Sequence, residues 1–295
     1  MIKLFWNTHN QIKPGSSDPN REDVFDHNWG NYHKVSSDKW IFFLLNKIKY
    51  KTITNIDEVE QNDILIIIDS SVEKKRDLYL KLRFLCSKLF IFHLGDETGI
   101  IDHSQIYKNC DFIWRAFCNN KYFKNNDIKC LPIGFKSGIN YKNKERKYKW
   151  NFIGTPHKSS RHDLLFQFSK IEPYFTFKTK RFNDKKQIIE ADELSEVLSS
   201  TLFVPCPNGF VHPETYRLYE ALECGCIPII ENTYRYYDRL FPENPFLKID
   251  KWIDAKEIIL SWSKNQIANK MEECQSWWKQ NKLKLQNEIF EKITK

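Results

Sequence analysis

Apolar residues in this chain come in short solid runs. Residues 64–68 (Ile-Leu-Ile-Ile-Ile) and 89–94 are apolar or nearly so throughout, the pattern of strands in a parallel sheet covered on both faces. Residues 2–6, 112–117 and 128–133 predict further strands, and Ile53 falls in a short strand or turn. Trp40, Ile41, Leu44, Leu45 and Ile48 recur at helical spacing, and 79–86 predicts another helix. Strand–helix–strand alternation of this kind predicts an α/β domain. The alternation restarts at Trp150, with strands over 150–154, 175–178 and 202–204 and helices over 161–168 and 194–198. Helices over 253–262 and 267–293 close the chain, the last with Trp277 and Trp278 as packing residues.

Two polar stretches interrupt this pattern. Residues 7–32 contain Pro14, Gly15, Pro19 and Gly30. A loop of that length is often functional, and it reads equally as an acceptor cover or a plain surface loop. Residues 136–149 are rich in Lys and Asn with little apolar content. They predict a linker over 137–149, between domains at 1–136 and 150–275, with 276–295 as a terminal helix. No internal repeat is present.

Residues 202–230 carry the densest chemistry. The apolar run 202–204 is broken by Pro205, Pro207, Asn208 and Gly209. Pro213 suits a first helical turn and Glu214 a positive helix end. Gly225 is a stop signal, and 226–230 predicts a second buried strand. Glu214, Arg217 and Glu220, three apart, predict a stripe on one helix face. A glycine loop feeding a helix start offers N–H groups to an anion. Arg217 adds a planar fork suited to phosphate oxygens, and Glu220 an acceptor for two sugar hydroxyls. The set suits a nucleotide sugar; it also matches a solvated Glu-Arg-Glu ladder.

Three motifs in this stretch carry a resemblance: Cys206-Pro-Asn-Gly209, Tyr216-Arg-Leu-Tyr-Glu-Ala221 and Gly225-Cys-Ile-Pro-Ile229. With Asn151-Phe-Ile-Gly-Thr155 and Ser159-Ser-Arg161, the chain from about Trp150 onward resembles the exostosin-like glycosyltransferases, above all their ribitol xylosyltransferase branch. The resemblance implies a GT-B fold, two Rossmann-like domains facing across a cleft, with the C-terminal helix crossing back onto the first. It implies inverting transfer from a UDP-sugar, with xylose the leading guess, to a glycan or polyol-phosphate acceptor. Domain 1–136 would then hold acceptor and base, and domain 150–275 the donor.

Ligands in open α/β sheets sit beyond the carboxyl ends of the strands. In the second domain that rule selects Gly154, Thr155, Arg161, Gly209, Glu214, Thr215, Arg217 and Glu220 as donor-binding. Arg161 and Arg217 are expected to stabilise the leaving diphosphate. His212 and Tyr216 are candidate sugar contacts or plain core. In the first domain the rule selects Asp69, Asp96 and Glu97. An inverting transfer needs one carboxylate as base. Asp96, with His93 to orient it, comes first, Asp69 second and Glu97 third; each could instead cap the next helix. The ribitol xylosyltransferases favour Asn near the two Asp positions, which leaves the base open.

A length of 295 residues suits two domains, and 41% apolar content can fill their cores. The 15% aromatic content suits stacking on sugars or bases, and the +8 net charge favours anionic partners. No nucleic-acid-binding motif accompanies that charge. No Asp-x-Asp stands at a strand end and Asp250 and Asp254 are scattered, so metal-independent donor binding is expected. The eight cysteines lack zinc spacing. With no export signal or membrane-spanning run, they are expected to be reduced thiols in a cytoplasmic protein of bacterial or viral type. The competing functions are a nucleotide-sugar binder with a decayed active site and a glycosyltransferase using another UDP-hexose.

Overall fold

The computed structural model describes residues 1–7, 30–180, 189–232 and 234–295. They form two compact units: Met1–Ile133 with Gln286–Lys295, and Gly134–Leu285. The polar stretch expected over 7–32 lies largely outside the described residues.

The first unit is built on six parallel strands, β1 (Ile2–Asn7), β2 (Lys51–Ile53), β3 (Ile64–Asp69), β4 (Lys88–His93), β5 (Phe112–Arg115) and β6 (Ile128–Cys130), in the order β2-β1-β3-β4-β5-β6. Its helices are α1 (Gly30–Leu45), α2 (Arg76–Leu85) and α3 (Ser104–Tyr107). Side chains alternate across a strand, so Leu65 and Ile67 face one layer with Phe5, Tyr79, Leu82 and Ile91. Ile66, Ile68, Phe90, Phe92 and Trp114 are buried as well. Both faces are covered, which is why β3 and β4 are apolar at nearly every position; each fully buried Ile or Leu contributes about 1.5–3 kcal/mol.

Strands β5 and β6 end earlier than the apolar pattern predicts. Phe117 turns left-handed at φ 52°. Cys118, just past the end of β5, and Cys130, the last residue of the neighbouring β6, have a Cα–Cα distance of 5.6 Å and are joined in a disulfide. This corrects the expectation that all cysteines are reduced; the other six are free thiols.

The second unit has strands β7 (Tyr148–Gly154), β8 (Tyr174–Lys178), β9 (Thr201–Cys206), β10 (Ile227–Glu231) and β11 (Leu247–Ile249), parallel in the order β11-β10-β9-β7-β8. Its helices are α4 (Arg161–Phe168), α5 (Ala191–Ser199), α6 (Tyr216–Glu223), α7 (Tyr236–Leu240), α8 (Trp252–Ser261) and α9 (Lys264–Thr294). Trp150, Phe152, Phe168, Phe203, Ile227, Ile229 and Trp252 form the core. Trp278 is buried, its indole N–H donating to Glu223 at 2.8 Å, and Trp277 packs on Phe241 and Phe246. The last residues of α9 belong to the first unit, where Gln286 donates to the Phe43 carbonyl at 2.6 Å.

Residues 137–149 are not a free linker but part of the second unit. Main-chain N–H groups of Asn140 and Lys142 donate to the Ser195 and Ser199 hydroxyls at 3.1 and 2.9 Å. Arg146 donates to the carbonyls of Leu198, Thr201, Cys224 and Gly225 at 2.7–3.0 Å. These carbonyls lie at or just past the ends of α5 and α6, where a helix leaves acceptors unsatisfied, so a polar segment is recruited to the core edge.

The two parallel α/β units agree with the α/β pattern of the sequence and with the GT-B class that the resemblance implies. Among the described residues no helix is long and apolar enough to cross a membrane.

Candidate functional site

In the second unit, β7 and β9 run side by side and their carboxyl ends carry the two motif loops. Strand β7 ends on Gly154, at φ 140°. A Cβ there would lie 2.9 Å from Nη2 of Arg217. That nitrogen donates to the Ile153 carbonyl at 2.6 Å, and the guanidinium lies over the Phe152 ring at 4.9 Å. Gly154 therefore acts by making room for Arg217.

Arg161, at the start of α4, is buried and donates from Nη1 to the Thr155 carbonyl at 2.9 Å. Its Nε has no hydrogen-bond partner among the described residues. Burial, and then the positive charge of Arg217, pull its pKa down to about 10. Burial also lowers that of Arg217. Two guanidinium groups thus repel each other while donating to main-chain carbonyls.

Around them, more polar atoms are buried without a partner among the described residues: Oγ1 of Thr215, Oε1 of Glu220 and Oδ1 of Asn208. Burial raises the pKa of Glu220 against the pull of Lys136 and Arg217. The Thr155 hydroxyl is 3.2 Å from that of Thr179. Gly209 lies in the tight 207–215 loop, its N–H directed to the Pro213 carbonyl at 3.4 Å. In this loop the main-chain N–H of Asn208 donates to Oε2 of Glu231 at 2.8 Å.

Two expectations in this region are corrected. Helix α6 begins at Tyr216, not Pro213, because the Tyr237 hydroxyl donates to the Pro213 carbonyl at 3.0 Å and holds it in the loop. Glu214 is consequently not on the helix. It is buried and accepts from the hydroxyls of Tyr219 and of Tyr236, the latter at 2.8 Å. The stripe is the pair Arg217–Glu220. His212 is likewise buried, edge-on to Tyr236 at 4.7 Å.

The first-unit acids are also committed. Asp69, at the end of β3, is buried and accepts from the Ser71 N–H at 2.9 Å, Lys75 Nζ at 2.8 Å and the Tyr79 hydroxyl at 2.7 Å. It serves as the turn-and-helix anchor that its strand-end position also allowed. Asp96, left-handed at φ 58°, accepts from Arg115 Nη2 at 2.7 Å, the Thr98 hydroxyl at 3.0 Å and the Gly99 N–H at 3.0 Å, with His103 Nε2 at 3.1 Å. Burial pushes its pKa up, but Arg115 and the other donors outweigh it and hold the carboxyl below the usual range. Asp96 thus anchors the loop after β4 through Arg115, Thr98 and Gly99. Nδ1 of His93 lies 2.5 Å from the Tyr107 hydroxyl and 2.8 Å from Nη1 of Arg115, the guanidinium that also holds Asp96. Glu97 is half-buried one residue further on.

Glu73, His93 and His103 bring one possible metal-ligand atom each to within 4.8 Å of one another. Arginine can only donate, so Nδ1 of His93 accepts from Arg115 and the neutral ring carries its proton on Nε2. That tautomer and the adjacent guanidinium both oppose a cation, and the cluster reads as a polar core.

A surface cavity of about 530 Å³ in the first unit, lined by Lys88, Phe90, Asp111, Glu288, Glu291, Lys292 and Lys295, includes none of the candidate residues.

The family model for the RXYLT1 C-terminal domain matches residues 132–295. No curated protein matches the chain. Among solved structures, the chain is similar to the N-terminal domain of the Candida albicans trehalose-6-phosphate phosphatase, at 13% identity and a TM-score of 0.52 over 92% of this chain and 83% of that one. An α1,3-fucosyltransferase aligns at 12% identity and a TM-score of 0.49 over 91% and 80%. AviGT4, a glycosyltransferase involved in avilamycin A biosynthesis, aligns at 10% identity and 0.49 over 99% and 97%. At such identities the likeness concerns the fold alone.

Proposed function

The chain belongs to the RXYLT1 C-terminal domain family, and on that premise we propose that it is a glycosyltransferase of the exostosin-like kind, using a UDP-sugar. One observation carries this reading: Arg161 and Arg217 meet at the ends of β7 and β9, beside buried and unpartnered oxygens of Thr215 and Glu220. A diphosphate relieves the repulsion between the arginines and accepts from both forks. The start of α6 adds main-chain donors. Glu220, one turn into the helix, takes ribose hydroxyls, which supply the missing donors for its carboxylate.

Because the arginines and the helix start neutralise the leaving diphosphate, the reading assigns donor binding no divalent cation. Xylose is the first donor sugar to test, and a glycan or polyol phosphate the acceptor class. Transfer is inverting, with the base among the first-unit acids Asp96, Asp69 and Glu97.

Calorimetry with UDP, GDP and CMP tests the nucleotide. UDP should bind, and at 100 times its dissociation constant should stabilise the fold by about 2.7 kcal/mol. Absence of UDP binding would overturn the reading. The saturation of Asp69 and Asp96 favours one alternative, a nucleotide-sugar-binding protein without turnover. It would bind UDP-sugars and release no UDP in the presence of any acceptor.

A further inference from the structure

In the first unit the segment after β5 is closed on itself and lies against the loop after β4. Cys118, directly after the left-handed Phe117, is bonded to Cys130, the last residue of β6, 12 positions along. Strand β6 is three residues long and stands at the edge of the sheet, paired with β5. Residues 120, 121 and 124–127 are exposed, so the closed segment has few buried side chains to hold it.

Two of its side chains reach the neighbouring loop. Nδ2 of Asn119 donates to the Gly99 carbonyl at 3.2 Å. A Cβ on Gly99, which is left-handed at φ 64°, would lie 3.0 Å from that nitrogen. The Tyr122 ring is buried and covers the Arg115 guanidinium at 4.6 Å. That guanidinium donates to Asp96 at 2.7 Å, and Asp96 accepts the Gly99 N–H at 3.0 Å. A chain of contacts therefore runs from the disulfide through Asn119 and Tyr122 to residues 96–99, the turn that carries Glu97.

We propose that the Cys118–Cys130 disulfide is a redox-sensitive clasp on the loop after β4: closed, it holds residues 96–99 in one arrangement, and opened by a dithiol, it releases them. The clasp itself needs no substrate. Its effect on turnover rests on the transferase reading above, which places the base among Asp96, Asp69 and Glu97.

The exchange has a defined direction. Cys118 is buried and Cys130 half-buried, so an incoming thiolate meets the Cys130 sulfur. Attack there forms a mixed disulfide and expels Cys118 as a thiolate, which takes up a proton. The reagent's second thiolate then attacks the reagent sulfur of the mixed disulfide and releases Cys130, which is protonated in turn. The protein gains two electrons and two protons, and the dithiol that gives them up becomes a cyclic disulfide. Of the other cysteines, Cys110 alone is half-buried, and burial pushes its thiol up, away from the nucleophilic form. Opening the bond returns conformational freedom to the closed segment. A Tyr122 that leaves its place opens one face of a buried guanidinium to water, and the higher local dielectric weakens the hold of Arg115 on Asp96.

Hydrogen exchange of the full chain, read by mass spectrometry before and after dithiothreitol, tests the clasp without a substrate. Alkylation after denaturation should count six thiols in the oxidised protein and all eight cysteines once the folded protein has been treated. Peptides over 96–103 should then exchange about tenfold faster, while those over β9 and α6 should not change. Tyr122→Leu, with its disulfide closed, should reproduce the faster exchange without dithiol. Cys118→Ser combined with Cys130→Ser should show it throughout and lose the response to dithiol. A bond that opens only on unfolding, unchanged exchange over 96–103, or faster exchange throughout the first unit would overturn the clasp and leave the disulfide a structural staple. On the transferase reading, turnover should also fall on reduction while UDP affinity holds; undiminished turnover would overturn the hold on the base. The expected exchange in a protein that binds no UDP would keep the clasp and overturn the transferase reading. UDP binding and turnover, with exchange indifferent to dithiol, would do the reverse.

Discussion

Arg217 donates to the Ile153 carbonyl at 2.6 Å, so the end of β7 and the first turn of α6 hold one guanidinium between them. Arg217→Ala should weaken UDP binding about ten- to a hundredfold, the loss of roughly 1.5–3 kcal/mol expected for hydrogen bonds to a charged partner. Gly154→Ala should reproduce part of that loss without touching the arginine. Its Cβ would meet Nη2 at 2.9 Å, and alanine is strained at φ 140°. Calorimetry with UDP checks both; normal affinity in Arg217→Ala removes the arginine from the site.

Glu220 gives the binding a pH signature. Burial raises its pKa in the free protein, and ribose hydroxyls donate more strongly to the charged carboxylate than to the neutral acid. Bound UDP therefore favours the deprotonated form, and UDP affinity should fall as pH drops through the raised value and recover above it. Glu220→Gln should bind UDP more weakly at neutral pH, with a flatter profile from pH 4 to 7. A wild-type profile as flat as that of the variant would exclude Glu220 from the nucleotide contact.

Asp96 is expected to act on stability. Its folded pKa lies below the ordinary 3.8. Its contribution is thus complete above that value and is lost as pH falls from there toward the folded value. Asp96→Asn leaves Arg115 buried without its carboxylate, a change that typically costs about 3–5 kcal/mol. Urea unfolding should show a large loss at pH 7 and a weaker acid dependence below pH 4. Full stability with lost turnover would restore Asp96 as the base.

The parts of the molecule that were legible in the sequence are those where one residue type answers one physical demand. Apolar runs such as 64–68 announce strands buried on both faces, and the strand-end rule picks out Gly154, Arg161 and Arg217, which come together at the end of β7. The illegible parts depend on partners distant in the chain. Nothing near Asp96 in the sequence points to Arg115, which lies 19 residues away and arrives through the β4–β5 pairing. Glu214 reads as a helix-start acid until Tyr219 and Tyr236 fold over it. Arg146 reads as linker until the ends of α5 and α6 present their carbonyls. Asn208 reads as a loop breaker within a motif, and its burial gives no signal in composition or spacing. The disulfide is of the same kind, since Cys118 and Cys130 meet only because β5 and β6 are neighbours.

The final prediction concerns the base. An inverting transfer removes the acceptor proton as the glycosidic bond to UDP breaks, and a carboxylate must stand ready to take it. Glu97→Gln keeps the size and hydrogen-bonding reach of the side chain but not its basicity. UDP affinity should be unchanged, since the nucleotide is assigned to residues of the second unit. Turnover with UDP-xylose and a polyol-phosphate acceptor should fall by about 10²–10⁴. Asp69→Asn is the comparison: its carboxylate anchors Lys75 and Tyr79, so that variant should lose stability along with rate, whereas Glu97→Gln should lose rate alone. If Glu97→Gln turns over normally while Asp69→Asn remains folded and inactive, the base is Asp69. NMR of the product decides the mechanism independently, because a retained anomeric configuration would remove the need for a base of this kind.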